Sequence, residues 1–113
     1  GQDDGKIAQL KKVEVEIVTA FNDLLTQLQE RSDTNGSLLD QTTVLFGSNL
    51  GNANAHTSVD LPVLLAGGGF SHGQHIVHEG DNAPLCNLFV TMLQNMGVET
   101  DTFGQSTSTL TWA

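Results

Sequence analysis

The sequence is poor in residues that several common architectures and functions require. It has one cysteine, Cys86, which excludes an internal disulfide and any zinc site built from several cysteines. Lys and Arg number only 4 against 13 Asp and Glu, so the net charge is −9 and no basic face can offset a phosphate backbone. We therefore expect no nucleic-acid binding, and no attraction to an anionic membrane surface.

Long apolar runs are absent as well. The longest ones fall far short of the roughly 20 residues that span a bilayer, so we expect no membrane insertion. A chain of 113 residues suffices for one domain with a modest core, and we predict a single domain over residues 1–113. The sequence opens on Gly1 and reaches a helical pattern within a few residues, which favours a truncated start and a piece of a larger protein.

The N-terminal quarter has the periodicity of one long amphipathic helix, from Asp4 to about Arg31. A helix of that length spans about 40 Å, so we expect it to pack across a sheet or against a second copy of the chain. Asn35 and Gly36 predict the turn that ends it. The large apolar residues that recur at three- and four-residue steps along one face are Ile7, Leu10, Val13, Ile17, Phe21, Leu24 and Leu28.

The segment Thr42–Gly69 contains two short apolar runs on either side of a polar loop. The runs Thr43–Phe46 and Leu61–Ala66 are too short for helices and end at glycine, which predicts two buried strands. The polar loop, residues 48–58, leaves the first strand at its carboxyl end, where open α/β sheets usually bind ligands. A site in this chain is therefore predicted in the polar loop.

The rest of the chain predicts a small hairpin or edge strand, a second helix and an irregular tail. Phe70–Glu79 alternates as an extended segment does. Asn82 and Pro84 predict the start of a helix that Gly97 closes. We expect the tail to be anchored by Phe103. Helix, strand, loop, strand and helix in this order are typical of an α/β fold. The apolar residues of the second helix are Leu85, Leu88, Phe89, Met92, Leu93 and Met96.

The histidines are the candidate metal ligands, and each has an alternative role. His56 in the polar loop could bind a metal, or it could hydrogen-bond to the backbone and brace the turn. His72, His75 and His78 recur at three-residue steps, but Gly73 favours extended structure, in which His75 faces away from the other two. We interpret these three as part of a surface hairpin rather than a zinc site. Cys86 is interpreted as a buried structural thiol.

Several short phrases occur in the order in which a known family has them. They are GSLLD at Gly36–Asp40, GSNLG at Gly47–Gly51 with His56 following, LPVLLAGG at Leu61–Gly68 and FGQST at Phe103–Thr107. Over nearly the whole chain they resemble the carboxyl-terminal part of the HXXSHH family, a domain of unknown function in uncharacterised exported bacterial proteins. The H-x-x-S-H-H string itself is absent here. The resemblance implies an exported or periplasmic protein.

The polar loop also resembles, more distantly, the last metal-binding segment of the alkaline phosphatase and sulfatase superfamily, which includes cofactor-independent phosphoglycerate mutases. There an Asp-His pair ends the strand, and a further His completes a two-metal centre. Asn49-Leu50, or Ser48-Asn49 with a shift of one residue, stands in place of Asp-His, and only His56 matches a ligand type. Asn and Leu do not replace a carboxylate and an imidazole on a transition metal, so a two-metal mechanism is not expected from these residues alone.

These observations lead to three hypotheses for a fragment of an alkaline phosphatase-like α/β fold. The first is a non-catalytic fragment that forms a homo-oligomer through apolar surface left uncovered. The second is part of a metal-dependent hydrolase of phosphate or sulfate esters that uses His56. The third is an extracellular binding or scaffold domain that kept the fold and lost the metals. The sequence identifies no cofactor and no small-molecule ligand.

Overall fold

The computed structural model describes residues 3–78 and 83–112. They form a small mixed α/β structure with two helices and two antiparallel sheets of two strands each, which confirms the predicted class in this coarse form. The chain divides into two compact units, residues 1–41 and residues 42–113. Within the described residues, no helix is both long and apolar enough to cross a membrane, in line with the expected lack of membrane insertion.

The first unit is dominated by helix α1, Asp4–Glu30, which the apolar periodicity predicted. Asp3 caps it, because its Oδ1 accepts a hydrogen bond from the backbone N–H of Lys6 at 3.1 Å. The helix ends at Arg31, whose backbone is extended and whose guanidinium donates to the carbonyl of Gln27 at 3.1 Å. Not one residue of α1 is buried.

A two-stranded hairpin follows α1 where the sequence predicted only a turn. Strands β1 (Ser32–Asp33) and β2 (Gly36–Ser37) pair antiparallel, and Gly36 adopts a φ of +119°, which favours glycine. Asp33 Oδ1 accepts from the backbone N–H of Asn35 at 2.8 Å and from Nε2 of Gln41 at 2.9 Å. These two donors hold the pKa of the Asp33 carboxyl below its usual value, the Asn35 N–H contributing most.

The chain then returns to the end of α1. The backbone N–H of Leu38 donates to the carbonyl of Arg31 at 2.8 Å, and that of Leu39 donates to the carbonyl of Leu28 at 3.1 Å. Leu28 and Leu39 are half-buried. The first unit is therefore a long helix with a hairpin folded onto its last turns.

The second unit contains the two predicted strands, β3 (Thr43–Gly47) and β4 (Val63–Gly67). The second strand begins at Val63 rather than Leu61, because Pro62 has no N–H to donate to a ladder. The strands are half-buried rather than buried, and Leu64 is 51% exposed. The prediction of buried strands was wrong because this sheet has only two strands in the described part of the chain.

The pairing of β3 with β4 is antiparallel, with Thr43 opposite Gly67 and Gly47 opposite Val63. The polar loop therefore lies within a hairpin connection. The loop does not leave the carboxyl end of a strand in an open parallel sheet. The reason for predicting a ligand site there, that such sheets bind ligands at this edge, therefore does not apply. The alkaline phosphatase-like fold remains a prediction.

Helix α2, Leu85–Asn95, carries the core of the second unit. It starts after Pro84, as predicted, and Gly97 closes it with a φ of +83° and an N–H that donates to the carbonyl of Gln94 at 3.0 Å. The predicted start residue Asn82 lies outside the described residues. Among the residues that the structure describes, the side chains classed as buried are those of Asn87, Leu88 and Val90, all on α2.

The segment after β4 is irregular, so the predicted hairpin is wrong for residues 70–78, and Glu79 lies outside the described residues. Gly73 turns the chain with a φ of +81°, and no strand in the described part of the chain pairs with this segment. His72 Nε2 lies 2.9 Å from the carbonyl oxygen of Gly67. This contact folds the segment back onto the end of β4.

The tail is irregular, as predicted, and both Asn87 and the predicted Phe103 attach it to α2. Asn87 Oδ1 accepts from the backbone N–H groups of Thr107 and Ser108 at 2.8 and 3.3 Å. Phe103 is 47% exposed and makes an edge-on contact with Phe89, with ring centroids 5.7 Å apart. Two hydrogen bonds to a buried amide and one aromatic contact therefore hold the tail on α2.

Two further contacts extend this attachment toward the end of the chain. Thr91 Oγ1 donates to the carbonyl of Leu110 at 2.7 Å and accepts from its N–H at 2.9 Å. Trp112 Nε1 donates to the carbonyl of Ser71 at 3.2 Å, and its ring packs at 5.3 Å from that of Phe70. The tail thus connects α2 with the segment after β4.

Candidate functional site

The polar loop, predicted as the site, is closed by its own backbone. Thr57 N–H donates to the carbonyl of Asn52 at 3.2 Å, and Gly51 N–H donates to the carbonyl of Thr57 at 2.9 Å. A Cβ at Gly51 would collide with the carbonyl oxygen of Val59, so only glycine fits there. The loop is a compact turn held by short-range bonds.

Asn52, which was not among the predicted site residues, is the organising side chain of this turn. Its Oδ1 accepts from the backbone N–H groups of Asn54 and Ala55, both at 3.0 Å. Ser48 Oγ similarly accepts from the N–H of Leu50 at 3.1 Å and donates to the carbonyl of the same residue at 2.9 Å. The Asn-Ala-Asn-Ala sequence was the available signal, because Asn side chains commonly bond to backbone two and three residues ahead.

His56 is exposed at the tip of the turn, with a left-handed φ of +52°. No side-chain hydrogen bond of His56 to another described residue is present, so the turn is braced by Asn52 rather than by this imidazole. Within residues 3–78 and 83–112, no three His, Cys, Asp or Glu side chains come together as a metal site would need. Since one imidazole supplies one ligand, the donors present do not fit a two-metal centre.

The other three histidines do not form a site in the described residues either. The Gly67 carbonyl can only accept, so the His72 ring must carry a proton on Nε2 to bond with it. The same ring meets Phe70 edge-on, with centroids 6.5 Å apart. His75 and His78 are exposed. His72 therefore has a structural role at the end of β4.

Cys86 is half-buried and unpaired rather than fully buried as predicted. A Cβ placed at Gly104 would approach its Sγ to 3.0 Å, so the tail passes directly over the thiol. The thiol is only partly covered because an irregular tail, and not a second packed element, lies on this side of α2.

One broad surface depression of about 610 Å³ lies where α2 ends and the tail begins. Its walls include the acidic side chains of Glu99 and Asp101. Gln94 also lines the depression, and its Nε2 donates to the carbonyl of Thr100 at 2.8 Å. Among the residues that line it, the Thr100 hydroxyl donates to the carbonyl of Thr102 at 2.8 Å rather than to a basic side chain.

The most unusual surface of the described chain is on α1. We define the apolar stripe as Leu10, Val13, Ile17, Val18 and Leu24, each between 47% and 55% exposed. These residues lie within one face of the helix along about 21 Å of its axis. Exposed apolar surface gathered on one face commonly marks a contact with another protein. No family model, curated protein or solved structure matches this chain.

Proposed function

We propose that this chain is a non-catalytic protein-contact domain and that the apolar stripe of α1 is its contact surface. The observation that carries this proposal is the complete lack of buried residues along the 27 residues of α1, although one face is apolar. A single packed surface along this face would cover the five residues of the stripe.

The physical reason is the dependence of helices on packing. Isolated helices are marginally stable in water, and most helical stability in proteins comes from burying an amphipathic face. The segment after the hairpin bonds to the end of α1 through the N–H groups of Leu38 and Leu39, which donate to the carbonyls of Arg31 and Leu28. The stripe between Leu10 and Leu24 would gain most from a partner, because burying apolar surface is the main source of free energy in protein association.

The residues of the polar loop support the non-catalytic part of the proposal. Ser48 has its hydroxyl engaged with Leu50 in both directions, which leaves it poorly placed as a nucleophile. His56 does not belong to any cluster of three or more His, Cys, Asp or Glu side chains within the described residues, so a metal-dependent reaction has no ligand set there. We further propose, from the phrases GSLLD, GSNLG, LPVLLAGG and FGQST, that the domain is the carboxyl-terminal part of an exported protein similar to the HXXSHH family.

Hydrogen–deuterium exchange of the whole chain tests the contact surface. We expect the α1 amides between Leu10 and Leu24 to be protected in the wild type, and Ile17→Lys to lower that protection at least about tenfold because a charge then occupies the contact. Thr19→Lys is the matched control, since two residues rotate the position by about 200° to the opposite side of the helix. Amides that are protected in the wild type and keep that protection in Ile17→Lys would overturn the proposal.

A second assay tests the lack of catalysis. Phosphate and sulfate ester hydrolysis is measured with Zn²⁺, Mn²⁺ or Mg²⁺ added, in the wild type and in His56→Ala. We expect background rates in both chains. A metal-dependent rate that disappears in His56→Ala would make the hydrolase hypothesis the better one.

A further inference from the structure

We propose that the partner of the apolar stripe is a second copy of this chain, with the two α1 helices docked antiparallel. This inference rests on the proposed function, because it identifies the occupant of that contact surface. Area, symmetry and charge on α1 each favour this occupant.

The exposed area is of the order that a small dimer interface needs. Five side chains about half exposed present on the order of a few hundred Å² of apolar surface. An interface of ordinary size buries about 800 Å² per partner, of which about 60% is apolar. The stripe, together with half-buried Leu25 on the same face, therefore supplies most of the apolar area for an interface at the small end of the range.

The stripe is also suited to two-fold symmetry. Ile17 and Val18 lie at the middle of α1, and the stripe continues from them in both directions, to Leu10 and to Leu24. A two-fold axis through Ile17 brings Leu10 of one copy level with Leu24 of the other, and Val13 level with Phe21. The same patch then covers itself, as in the isologous interfaces of most dimers.

Charge selects the antiparallel orientation. A parallel pair in register would set Glu14 beside Glu14 and Lys11 beside Lys11, and like charges at such positions repel. An antiparallel pair about Ile17 instead brings Glu14 level with Ala20 of the second copy, which separates the two Glu14 carboxylates by about 9 Å along the axis. It also aligns the two helix dipoles favourably, N-terminus to C-terminus.

Sedimentation velocity over a range of concentrations tests the dimer. We expect a reversible dimer with a dissociation constant of about 10–100 µM, as befits a small interface. Ile17→Lys places two charges on the symmetry axis and should raise the dissociation constant at least about tenfold. Leu10→Gln is a milder second variant, Thr19→Lys should dimerise as the wild type does, and circular dichroism checks that every chain is folded.

Cross-linking tests the orientation in a Cys86→Ser background. A chain carrying Leu10→Cys, mixed with one carrying Leu24→Cys, should give a mixed disulfide on mild oxidation, since the two positions are level only in the antiparallel pair. Rapid linking of Leu10→Cys chains to one another would instead establish a parallel pair and overturn the orientation.

The two proposals can fail separately. A monomer up to about 500 µM that binds the apolar dye 8-anilinonaphthalene-1-sulfonate, with Ile17→Lys weakening that binding and Thr19→Lys leaving it unchanged, would overturn the second copy as partner and leave the contact surface standing. A monomer that does not bind the dye in any of the three chains would overturn both.

Discussion

The longer of the two helices in this chain is the one that buries fewer residues. Helix α1 has 27 residues and buries none of them, whereas α2 has 11 residues and buries three. All four Lys and Arg lie in residues 1–41, on or next to α1. The second unit therefore has acidic side chains but neither Lys nor Arg. The comparison teaches that amphipathic length predicts where a helix forms, but that the core forms where other segments return to cover it.

The largest effect on stability is expected from removing the side-chain amide of Asn87, which lies on the more buried helix. Asn87→Ala removes the oxygen that accepts from the backbone N–H groups of Thr107 and Ser108, and it leaves both groups without a protein acceptor. This loss should cost about 2–4 kcal/mol of unfolding free energy. Asn22→Ala on exposed α1 should stay within about 0.5 kcal/mol. Urea denaturation followed by circular dichroism measures both, and equal effects would refute the assignment of the core to α2.

A smaller effect on stability is expected when one valine on each helix is replaced by alanine. Val90 is fully buried and Val15, on the side of α1 away from the stripe, is 62% exposed. Val90→Ala should cost about 2 kcal/mol through lost burial and a residual cavity. Val15→Ala should be near neutral, since little surface is lost and alanine favours helix. If both variants shift the urea midpoint equally, α1 packs more tightly than its exposure indicates.

The smallest effect concerns the acid response of the first unit. The pKa of Asp33 is lowered in the folded chain, so its contribution is fully present above the ordinary aspartate pKa and is lost as the pH falls through the lower folded value. We expect the amide signals of Asn35 and Gln41 to shift together below about pH 4 in an NMR titration. Asp33→Asn should abolish that step, and a midpoint above the ordinary aspartate value would contradict the hydrogen bonds.

Local periodicity predicted α1, both central strands and α2 to within about two residues, because each depends on a pattern that is read within a few turns or pleats. Pairing was not predictable in this way. Whether β3 and β4 run parallel or antiparallel depends on the path of the polar loop, and the loop depends on Asn52 and on left-handed residues such as His56. The sequence located the candidate loop but not its closed geometry.

Asn87 shows a second limit. It lies off the apolar face of α2, and an amphipathic pattern predicts that such a polar residue faces water. The tail covers it instead, with backbone N–H groups from residues about twenty positions later. A polar side chain that is buried by backbone N–H groups leaves no hydrophobic periodicity in the sequence. The burial of Asn87 could therefore not be predicted from the pattern.

The tail also carries a spectroscopic consequence. Trp112 is the only tryptophan and the chain has no tyrosine, so its ultraviolet emission comes from one indole, stacked beside Phe70 and bonded to Ser71. Intensity and emission wavelength therefore report on the docking of the tail against the segment after β4. Release of the tail would be followed by emission, and dissociation of the proposed dimer by sedimentation, in one sample.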